Sequence, residues 1–380
     1  MKRPLAQPHL MIVIHSLGGG GAERVAADMA GYWIQQGIKV TLVTQTDPST
    51  DVYALHPRVT RRVMGTASAS RSRTGGILSN AWRIARLRRL IKQDRPTLIV
   101  GMMTTSSILC LLAARGLRCR VIATEHTHPP SQSLSPAWER LRRWTYPKAH
   151  CVVSLTPDTE AWIDRHIPGC KLAVIPNAVR WPMAATDPVV EPPERNGRLR
   201  LLAVGRLHPQ KGFDLLVQAF AEIAPYLPLW DLVILGEGDE RTTLQERIDQ
   251  LGLTERVKMP GRVGNVGDWY QASDLYVLSS RVEGLSNTLL EAMASGLPAV
   301  AFDCETGPRA IIRDGIDGVL VRPVEDAEIL AAHLSHIMAH PEKRTLMARR
   351  ATDVRDRFSM PRVMAMWAHV FGLEHRTHER

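Results

Sequence analysis

The sequence contains few aromatic residues, few cysteines and no long uninterrupted apolar run. Aromatic residues account for 5% of the 380 residues, and the five cysteines form no C-x-x-C pair (Cys110, Cys119, Cys151, Cys170 and Cys304). An odd number of such cysteines argues against a disulfide framework or a zinc module and indicates reduced thiols in a cytosolic compartment. The low aromatic content and the lack of a recognised binding motif also argue against a nucleic-acid partner.

The apolar segments are too short for a secreted or membrane-spanning chain. Residues 10–14 are too few for the core of a signal peptide. The longest apolar tract, residues 98–114, is interrupted by Thr and Ser at 104–107, so it predicts a strand followed by a helix. Hydrophobic residues make up 44% and charged residues 23% of the chain, and its length is sufficient for two domains. We therefore expect a cytoplasmic protein that is neither exported nor embedded.

Basic residues are concentrated in the first half of the chain. Residues 1–185 contain 25 Lys and Arg against 10 Asp and Glu, whereas residues 186–380 contain 23 against 28. Within residues 58–95 there are eleven basic residues and a single acid, Asp94. The asymmetry predicts that the first half meets something anionic.

Residues 81–92 form the core of this basic region and are predicted to be helical, with arginines at 83, 86, 88 and 89. Three interpretations are open at this point. The arginines could form a solvated helix face packed on a sheet, a surface that contacts anionic membrane lipid, or a nucleic-acid-binding surface. Each basic residue near an anionic bilayer contributes about 1 kcal/mol of attraction.

Short apolar strands alternate with helical stretches along the whole chain. Such alternation predicts an α/β protein with doubly wound parallel sheets. Residues 186–198 are rich in Pro and polar residues, and strand–helix alternation starts afresh near Leu199. We therefore predict a first domain over residues 1–185, a linker over 186–198 and a second domain over 199–358.

Residues 281–303 combine two acids with a short helix and a strand. Glu283 and Gly284 precede an apolar helix that carries Glu291, and a buried strand follows at 299–302. In a parallel sheet this loop would open at the carboxyl edge, where open α/β sheets bind ligands. Two separated carboxylates suit the hydroxyl groups of an extended ligand, and the helix start near Ser286 and Asn287 suits a phosphate. The alternative is two solvated glutamates on a core helix.

The same segment resembles the E-x7-E signature of glycosyltransferase family 4, with Glu283 and Glu291 as the two acids. The resemblance extends over nearly the whole chain and favours the amylovoran-biosynthesis-type subgroup, which assembles exopolysaccharide, capsule or lipopolysaccharide. It implies the GT-B fold, with two Rossmann-like domains facing a cleft. It also implies that a last helix, within residues 359–380, crosses back to the first domain.

Further positions are assigned through the resemblance. A strand, then residues 205–212 with Arg206 and Lys211, matches the family's diphosphate clamp; without the resemblance, a solvated pair would be the simpler interpretation. The resemblance implies that Glu283 grips the donor sugar and Glu291 the ribose. It further implies donor contacts from a nucleobase segment and from the start of the helix (Arg262, Val263, Leu285, Ser286 and Asn287).

In the first domain, residues 15–21 form a glycine-rich loop between a strand and a helix. Neither G-x-G-x-x-G nor Gly-Lys-Ser/Thr occurs there, so the loop is not a dinucleotide fingerprint or a P-loop. The resemblance implies that Gly20, Gly21 and Arg24 approach the donor. It also implies that His126, just past a strand, contacts the donor sugar near the reacting carbon, although a surface-loop histidine is the simpler alternative.

The resemblance predicts a retaining, metal-independent hexosyltransferase that uses a nucleoside-diphosphate sugar, with UDP favoured over GDP, and no cofactor. It implies a lipid-linked or polysaccharide acceptor, so we favour peripheral contact with anionic lipid at the cytoplasmic face of the inner membrane, and no nucleic acid. The alternatives are a sugar-nucleotide 2-epimerase of the same fold and a non-catalytic sugar-nucleotide-binding subunit.

Overall fold

The computed structural model of the protein describes residues 8–66 and 73–373, and it divides the chain into two compact units. The first unit comprises Met1–Pro176 and Val363–Arg380, and the second comprises Asn177–Arg362. The predicted linker, residues 186–198, groups with the second unit. Arg71, one of the eleven basic residues predicted to meet an anion, lies outside the described residues.

The first unit contains a seven-stranded parallel sheet. Its strands are β1 His9–Ile14, β2 Lys39–Thr44, β3 Thr60–Val63, β4 Leu98–Gly101, β5 Arg120–Glu125, β6 Cys151–Ser154 and β7 Leu172–Val174. The spatial order is β3-β2-β1-β4-β5-β6-β7, with every pair parallel. The central strand β1 is buried at all six positions, which explains why it is a continuous apolar run rather than an alternating one. The edge strands β3 and β7 are only half-buried and were not predicted.

Helices connect these strands and cover both faces of the sheet. They are α1 Gly21–Gln35, α2 Arg73–Asp94, α3 Thr104–Ala113, α4 Pro136–Thr145 and α5 Pro157–His166. The predicted helix at 81–92 is thus the second half of the longer α2. Its buried side, Leu87 and Ile91, packs with strand residues such as Met11 and Ile99 in one apolar cluster. Burial of this stripe accounts for the helical spacing seen in the sequence.

The second unit contains a six-stranded parallel sheet. Its strands are β8 Leu199–Val204, β9 Trp230–Leu235, β10 Val257–Gly261, β11 Leu275–Leu278, β12 Ala299–Phe302 and β13 Gly318–Val321. The spatial order is β10-β9-β8-β11-β12-β13, again with parallel pairs throughout. From the central strand β8, the chain therefore adds β9 and β10 on one side and then β11, β12 and β13 on the other.

The helices of the second unit are mostly short. They are α6 Phe213–Ile223, α7 Arg241–Gln250, α8 Val266–Gln271, α9 Asn287–Ala294, α10 Pro308–Ile311, α11 Ala327–Ala339, α12 Pro341–Ala351 and α13 Val354–Arg357. The largest apolar cluster of the unit joins α6 and α11 to the strands through residues such as Phe220, Leu334 and Val300.

The last helix, α14, spans Met360–Phe371, and its residues from Val363 onward belong to the first unit. Phe371 packs against Trp33 of α1 at a ring-centroid distance of 5.4 Å. Arg120 donates a hydrogen bond of 2.7 Å to the Phe371 carbonyl. The predicted fold class is confirmed, because both units are doubly wound parallel α/β sheets. Across residues 8–66 and 73–373, no helix combines the length and the apolarity that crossing a membrane requires.

Candidate active site

The loops of interest in the second unit leave the carboxyl ends of β8 and β11. These two strands are neighbours at the centre of the sheet, where the strand order reverses. In open α/β sheets, the loops at such a switch point diverge and leave a crevice that binds ligands. Residues 205–212 follow β8 and residues 279–286 follow β11, so the topology brings two of the predicted motifs together.

Lys211 and Glu283 form the ion pair at this edge. Lys211 Nζ lies 2.5 Å from Glu283 Oε1, and the two side chains are 25% and 8% exposed. The Ser280 hydroxyl donates to the same carboxylate oxygen at 2.7 Å. From the sequence, we expected Lys211 to contact a diphosphate and Glu283 to contact a sugar. In the structure, the ammonium of Lys211 and the carboxylate of Glu283 satisfy each other.

The backbone around Glu283 is held from the neighbouring strand. Thr306, which follows β12, donates a hydrogen bond of 2.5 Å from its hydroxyl to the Glu283 carbonyl. The loop after β11 is therefore fastened on one side by Lys211 and on the other by Thr306. Sequence reasoning missed both Ser280 and Thr306. For Ser280, a hydroxyl residue just past the buried strand β11 is the signal that could have indicated it; Thr306 lies four residues past β12 and has no such signal.

Two glycines allow the loops to approach each other closely. Gly212 has φ +61°, and a Cβ there would lie 2.1 Å from the Ser279 carbonyl oxygen. Gly236, after β9, has φ +137°, and its Cβ would lie 1.8 Å from the Gly205 carbonyl oxygen. No side chain fits at either position, and both backbone conformations favour glycine. The loop after β8 is thus packed between backbone on both sides.

Arg206 is an unpaired cation at this edge. Its side chain is exposed, and within the described part of the chain no hydrogen bond or ion pair holds its guanidinium. By contrast, Arg281 is bound to Asp214 through two hydrogen bonds of 2.7 and 2.8 Å. Arg309 is bound to buried Asp303 at 2.9 Å. The loop after β8 therefore carries positive charge that is available to a ligand.

Helix α9 begins beside this edge. Ser286 is its N-cap, and its hydroxyl accepts a bond of 3.4 Å from the Leu289 N–H, so one of the helix-start donors is already satisfied. Asn287 Oδ1 accepts a bond of 2.9 Å from Asn177, and Leu285 is buried. Glu291 is the fifth residue of α9, about one turn from its start, and Tyr270 donates to its Oε2 at 3.2 Å. Glu291 is only 3% exposed.

Arg262 and Val263 follow the carboxyl end of β10, on the same edge of the same sheet. Arg262 is exposed and Val263 is half-buried. The helix that follows the loop after β11 carries Glu291. The loops after β8, β10 and β11 thus contain seven of the predicted residues: Arg206, Lys211, Arg262, Val263, Glu283, Leu285 and Ser286.

The glycine-rich segment of the first unit follows its central strand β1 and ends at the start of α1. Gly20 is the N-cap and contributes no side-chain bond. The Glu23 carboxylate folds back onto it, since a Cβ at Gly20 would lie 2.2 Å from Glu23 Oε2. A carboxylate already occupies the positive end of this helix. Gly21 and Arg24, the other two predicted residues, make contacts of their own.

His126 directly follows β5, also at a carboxyl end. Its side chain is half-buried, and the Nε2 atom is buried without a hydrogen-bond partner. Burial lowers the pKa of His126 from 6.5 to about 4. The imidazole is therefore neutral at pH 7, with one ring nitrogen still able to donate or accept a hydrogen bond.

The residue before it, Glu125, anchors a buried polar cluster that sequence reasoning missed. Its carboxylate accepts bonds from Tyr146 at 2.5 Å, Thr104 at 2.6 Å and Gln132 at 3.0 Å, and Arg142 lies 3.8 Å away. Burial raises the pKa of Glu125, while Arg142 and the hydroxyl donors oppose the shift. Gln132 also donates to the Thr127 carbonyl at 2.8 Å. The cluster therefore holds the loop that carries His126.

Two family models match the chain, one for each half. "Glycosyltransferase Family 4" matches residues 19–180 and "Glycosyl transferases group 1" matches residues 189–354. The amylovoran biosynthesis glycosyltransferase AmsD of Erwinia amylovora is 27% identical over 349 residues, covering 90% of this chain and 93% of that protein.

The exopolysaccharide phosphotransferase SCO2592 of Streptomyces coelicolor is 33% identical over 277 residues. That alignment covers 71% of this chain, which spans only 28% of the length of that relative.

Solved structures share the fold at low sequence identity. Sucrose-phosphate synthase from Thermosynechococcus elongatus aligns with a TM-score of 0.82 and 18% identity, covering 97% of this chain and 100% of that one. Anabaena Alr3699/HepE in complex with UDP aligns with a TM-score of 0.80 and 19% identity, covering 96% and 99%. With a matching family model in each half and both sheets wound as in these enzymes, the chain belongs to glycosyltransferase family 4 and is a GT-B glycosyltransferase.

Proposed function

We propose that the protein is a retaining transferase that moves a hexose-type sugar from a nucleoside diphosphate to a lipid-linked or polysaccharide acceptor. The observation that carries the proposal is the arrangement of Arg206, Lys211 and Glu283 at the carboxyl edge of β8 and β11. A cation pair and a carboxylate at one switch point match a ligand with a diphosphate joined to a sugar. UDP is the favoured nucleotide, because Anabaena Alr3699/HepE, which shares the fold, was solved in complex with UDP and with UDP-glucose.

The departing nucleoside diphosphate gains negative charge as the glycosidic bond breaks. In the proposal, the unpaired guanidinium of Arg206 and the ammonium of Lys211 stabilise that charge. A charge-assisted contact contributes about 1.5–3 kcal/mol, and one that strengthens in the transition state raises the rate. Lys211 then exchanges part of its contact with Glu283 for the phosphate, which releases carboxylate oxygens to accept bonds from sugar hydroxyls.

The remaining predicted residues take supporting roles in this proposal. Glu291 accepts a bond from the ribose, and the Ser286–Asn287 start of α9, with Leu285, lies against the phosphates. Arg262 and Val263 follow β10, where backbone groups would hold the base. From the first unit, His126 and the Gly20–Gly21 segment with Arg24 contribute donor contacts. Neutral His126 suits a hydrogen bond to a sugar hydroxyl, because it adds no charge that would compete with the phosphate. We propose that neither a metal nor a cofactor is required.

The names of relatives indicate the acceptor class. AmsD is an amylovoran biosynthesis glycosyltransferase, and a Campylobacter jejuni relative, 25% identical over 74% of this chain and 76% of its own, adds a sugar to an undecaprenol-linked glycan. We propose that this chain likewise acts in bacterial surface-glycan synthesis.

The donor assignment is tested by thermal-shift and calorimetric titration with UDP, GDP and ADP and their common sugars, with and without EDTA. We expect a uridine nucleotide to stabilise the protein by about 2.7 kcal/mol at a hundredfold excess over its dissociation constant, and EDTA to have no effect. Arg206→Ala should weaken nucleotide binding roughly tenfold or more. The matched control is Lys258→Ala, since Lys258 is an exposed cation of the same sheet whose ammonium contacts Glu255 and the Thr254 carbonyl.

Equal nucleotide binding by Arg206→Ala and by wild type would contradict the donor site. The product then decides between reaction classes. Transfer to an acceptor with the anomeric configuration of the donor, read by NMR, is expected. Release of a free epimer in the absence of acceptor would instead indicate an epimerase. If the isolated protein turns over no donor with any acceptor, it is a binding subunit.

Helix α2 carries the surface that supports membrane contact. Leu78 and Trp82 are 71% and 49% exposed, and the Arg86 guanidinium lies 5.5 Å from the Trp82 ring centroid. Arg89 and Lys92 are exposed on the same side. The other two predicted arginines have structural roles, because Arg83 donates to the Thr66 carbonyl and Arg88 to the carbonyls of Ala113 and Arg115.

We propose that this α2 face rests on anionic lipid at the cytoplasmic face of the inner membrane, with Trp82 and Leu78 at the headgroup boundary. Arg86→Gln/Arg89→Gln should weaken binding to phosphatidylglycerol vesicles about 30-fold, since each cation contributes about 1 kcal/mol. Arg349→Gln/Arg350→Gln removes two exposed cations from α12 and serves as the control. Identical sedimentation of all three proteins would contradict the proposal.

A further inference from the structure

A pocket of about 430 Å³ lies in the first unit on the edge of the sheet opposite His126. It is formed by the segments that enter strands β5, β6 and β7 and by the last turns of α3 and α4. These segments lie at the amino ends of the parallel strands. The pocket therefore lies at the opposite edge of the sheet from the first-unit residues assigned above to the donor, and none of those residues lines it.

The pocket is lined by an excess of positive charge. Arg115, Arg120, Lys148 and Lys171 line it together with His150, and all five side chains are exposed. Among the described residues, no carboxylate lines it. The carboxyl ends of α3 and α4 each supply roughly half a negative elementary charge. Four full cations exceed that compensation about fourfold.

The cations are close enough to disfavour one another's charged forms. Burial and the neighbouring Arg115 lower the pKa of Lys148. Burial, then Arg120 and Lys171, lower the pKa of His150, which a hydrogen bond from the imidazole to the Val370 backbone partly offsets. Mutual repulsion of this kind is relieved when an anion enters. The geometry and these shifts both indicate an uncompensated positive site.

One wall of the pocket is aromatic and apolar. Trp144 is 46% exposed. Lys148 Nζ lies 3.2 Å from its ring centroid, and the Arg115 guanidinium carbon lies 5.7 Å from it. Both cations are thereby held over one ring. Leu111 and Leu112 supply further apolar lining. The pocket can thus take an anion attached to an uncharged ring or chain.

We propose that this pocket is a second ligand site, which binds a phosphate group carried either by a membrane lipid or by a free small molecule. The Arg115, Arg120, Lys148 and Lys171 side chains would contact the phosphate, and the Trp144 wall would contact what it is attached to. Phosphate fits better than a single carboxylate, because its several oxygens can contact several cations at once. The proposal does not depend on the transfer reaction.

The first experiment isolates the pocket from the donor site. Inorganic pyrophosphate is titrated calorimetrically into full-length protein carrying Arg206→Ala/Lys211→Ala, which removes the proposed donor phosphate contacts. We expect one remaining saturable site. Adding Lys148→Gln/Lys171→Gln should weaken it roughly tenfold or more. Adding Arg349→Gln/Arg350→Gln, the same change of charge on the second unit, should leave it unchanged.

The second experiment distinguishes the two sources of phosphate. Wild type and the Lys148→Gln/Lys171→Gln variant are sedimented with phosphatidylcholine vesicles that contain phosphatidic acid or none. A specific loss of phosphatidic acid binding in the pocket variant identifies a lipid headgroup, whereas a loss confined to the pyrophosphate titration identifies a free ligand. Equal behaviour of the pocket and control variants in both experiments would overturn the proposal. Arg86→Gln/Arg89→Gln, which alters the α2 face, should leave the pyrophosphate titration unchanged.

Discussion

Each unit holds an ion pair beside the carboxyl ends of its central strands, and the two pairs differ in burial. In the first unit, Glu125 and Arg142 have side-chain exposures of 0% and 1%. In the second unit, Glu283 and Lys211 have exposures of 8% and 25%. The first pair is enclosed by Thr104, Gln132 and Tyr146 and has no room for a ligand. The second pair is open on the lysine side. Similar chemistry thus serves structure in one unit and, we propose, ligand exchange in the other.

The largest effect that should separate the two pairs concerns stability. Glu125→Ala leaves Arg142 buried without a carboxylate, so we expect the first unit to lose about 3–5 kcal/mol of unfolding free energy. Glu283→Ala leaves a lysine that water can reach, and it should cost less than about 1 kcal/mol. Scanning calorimetry of both variants measures the difference. If Glu125→Ala does not fold, Glu125→Gln, which keeps part of the hydrogen-bond network, is measured instead. Equal losses of unfolding free energy in the two units would refute the distinction between the two pairs.

The second effect concerns nucleotide binding and sharpens the contrast. Glu283→Gln releases Lys211 from its partner, so nucleoside diphosphate should bind a few fold more tightly while sugar transfer falls. Lys211→Met should instead weaken diphosphate binding roughly 10- to 100-fold. Opposite changes in the dissociation constant, measured by calorimetry, are the expected result. Weaker diphosphate binding in Glu283→Gln would show that the pair does not exchange partners.

The smallest effect concerns pH. The folded-state pKa of His126 lies near 4, below the unfolded value of 6.5. Between these values the unfolded chain binds more protons, so this contribution is present above pH 6.5 and is lost as pH falls towards 4. We expect roughly 1–2 kcal/mol of acid sensitivity from this ring, allowing for its partial exposure. Denaturant titrations at several pH values across that window measure the free energy of unfolding. Its dependence on pH should become flatter in His126→Gln but not in His15→Gln, since His15 is exposed. If His126→Gln keeps the wild-type dependence of stability on pH, His126 is not the source of this acid sensitivity.

The sequence was most informative for the central strands, which are buried on both faces. Buried central strands require apolar runs on both faces, so the runs at 10–14 and 299–302 predict β1 and β12 nearly to the residue. The edge strands β3 and β7 are short and only partly buried, and β3 also carries polar residues, so neither shows the long buried apolar run of a central strand. Burial of both faces, rather than strand propensity, made the difference.

Contacts between distant residues were the part that the sequence could not predict. Lys211 and Glu283 were both identified as site residues, but their direct pairing depends on the adjacency of β8 and β11. The Glu125 cluster joins residues from β5, α3, α4 and the following loop, none of which forms a local motif. Likewise, no spacing rule distinguishes Arg86, which is exposed, from Arg88, which bonds backbone carbonyls. Burial and long-range pairing decide these roles.

The close backbone approach at Gly212 and Gly236 has a consequence for protein engineering. Each glycine touches a carbonyl from a different loop, so the segments after β8, β9 and β11 fit together only as a set. Exchanging residues 205–212 for the corresponding loop of another transferase would meet the same carbonyls. Under the proposed donor site, donor specificity should therefore be transplanted by moving the three loops together.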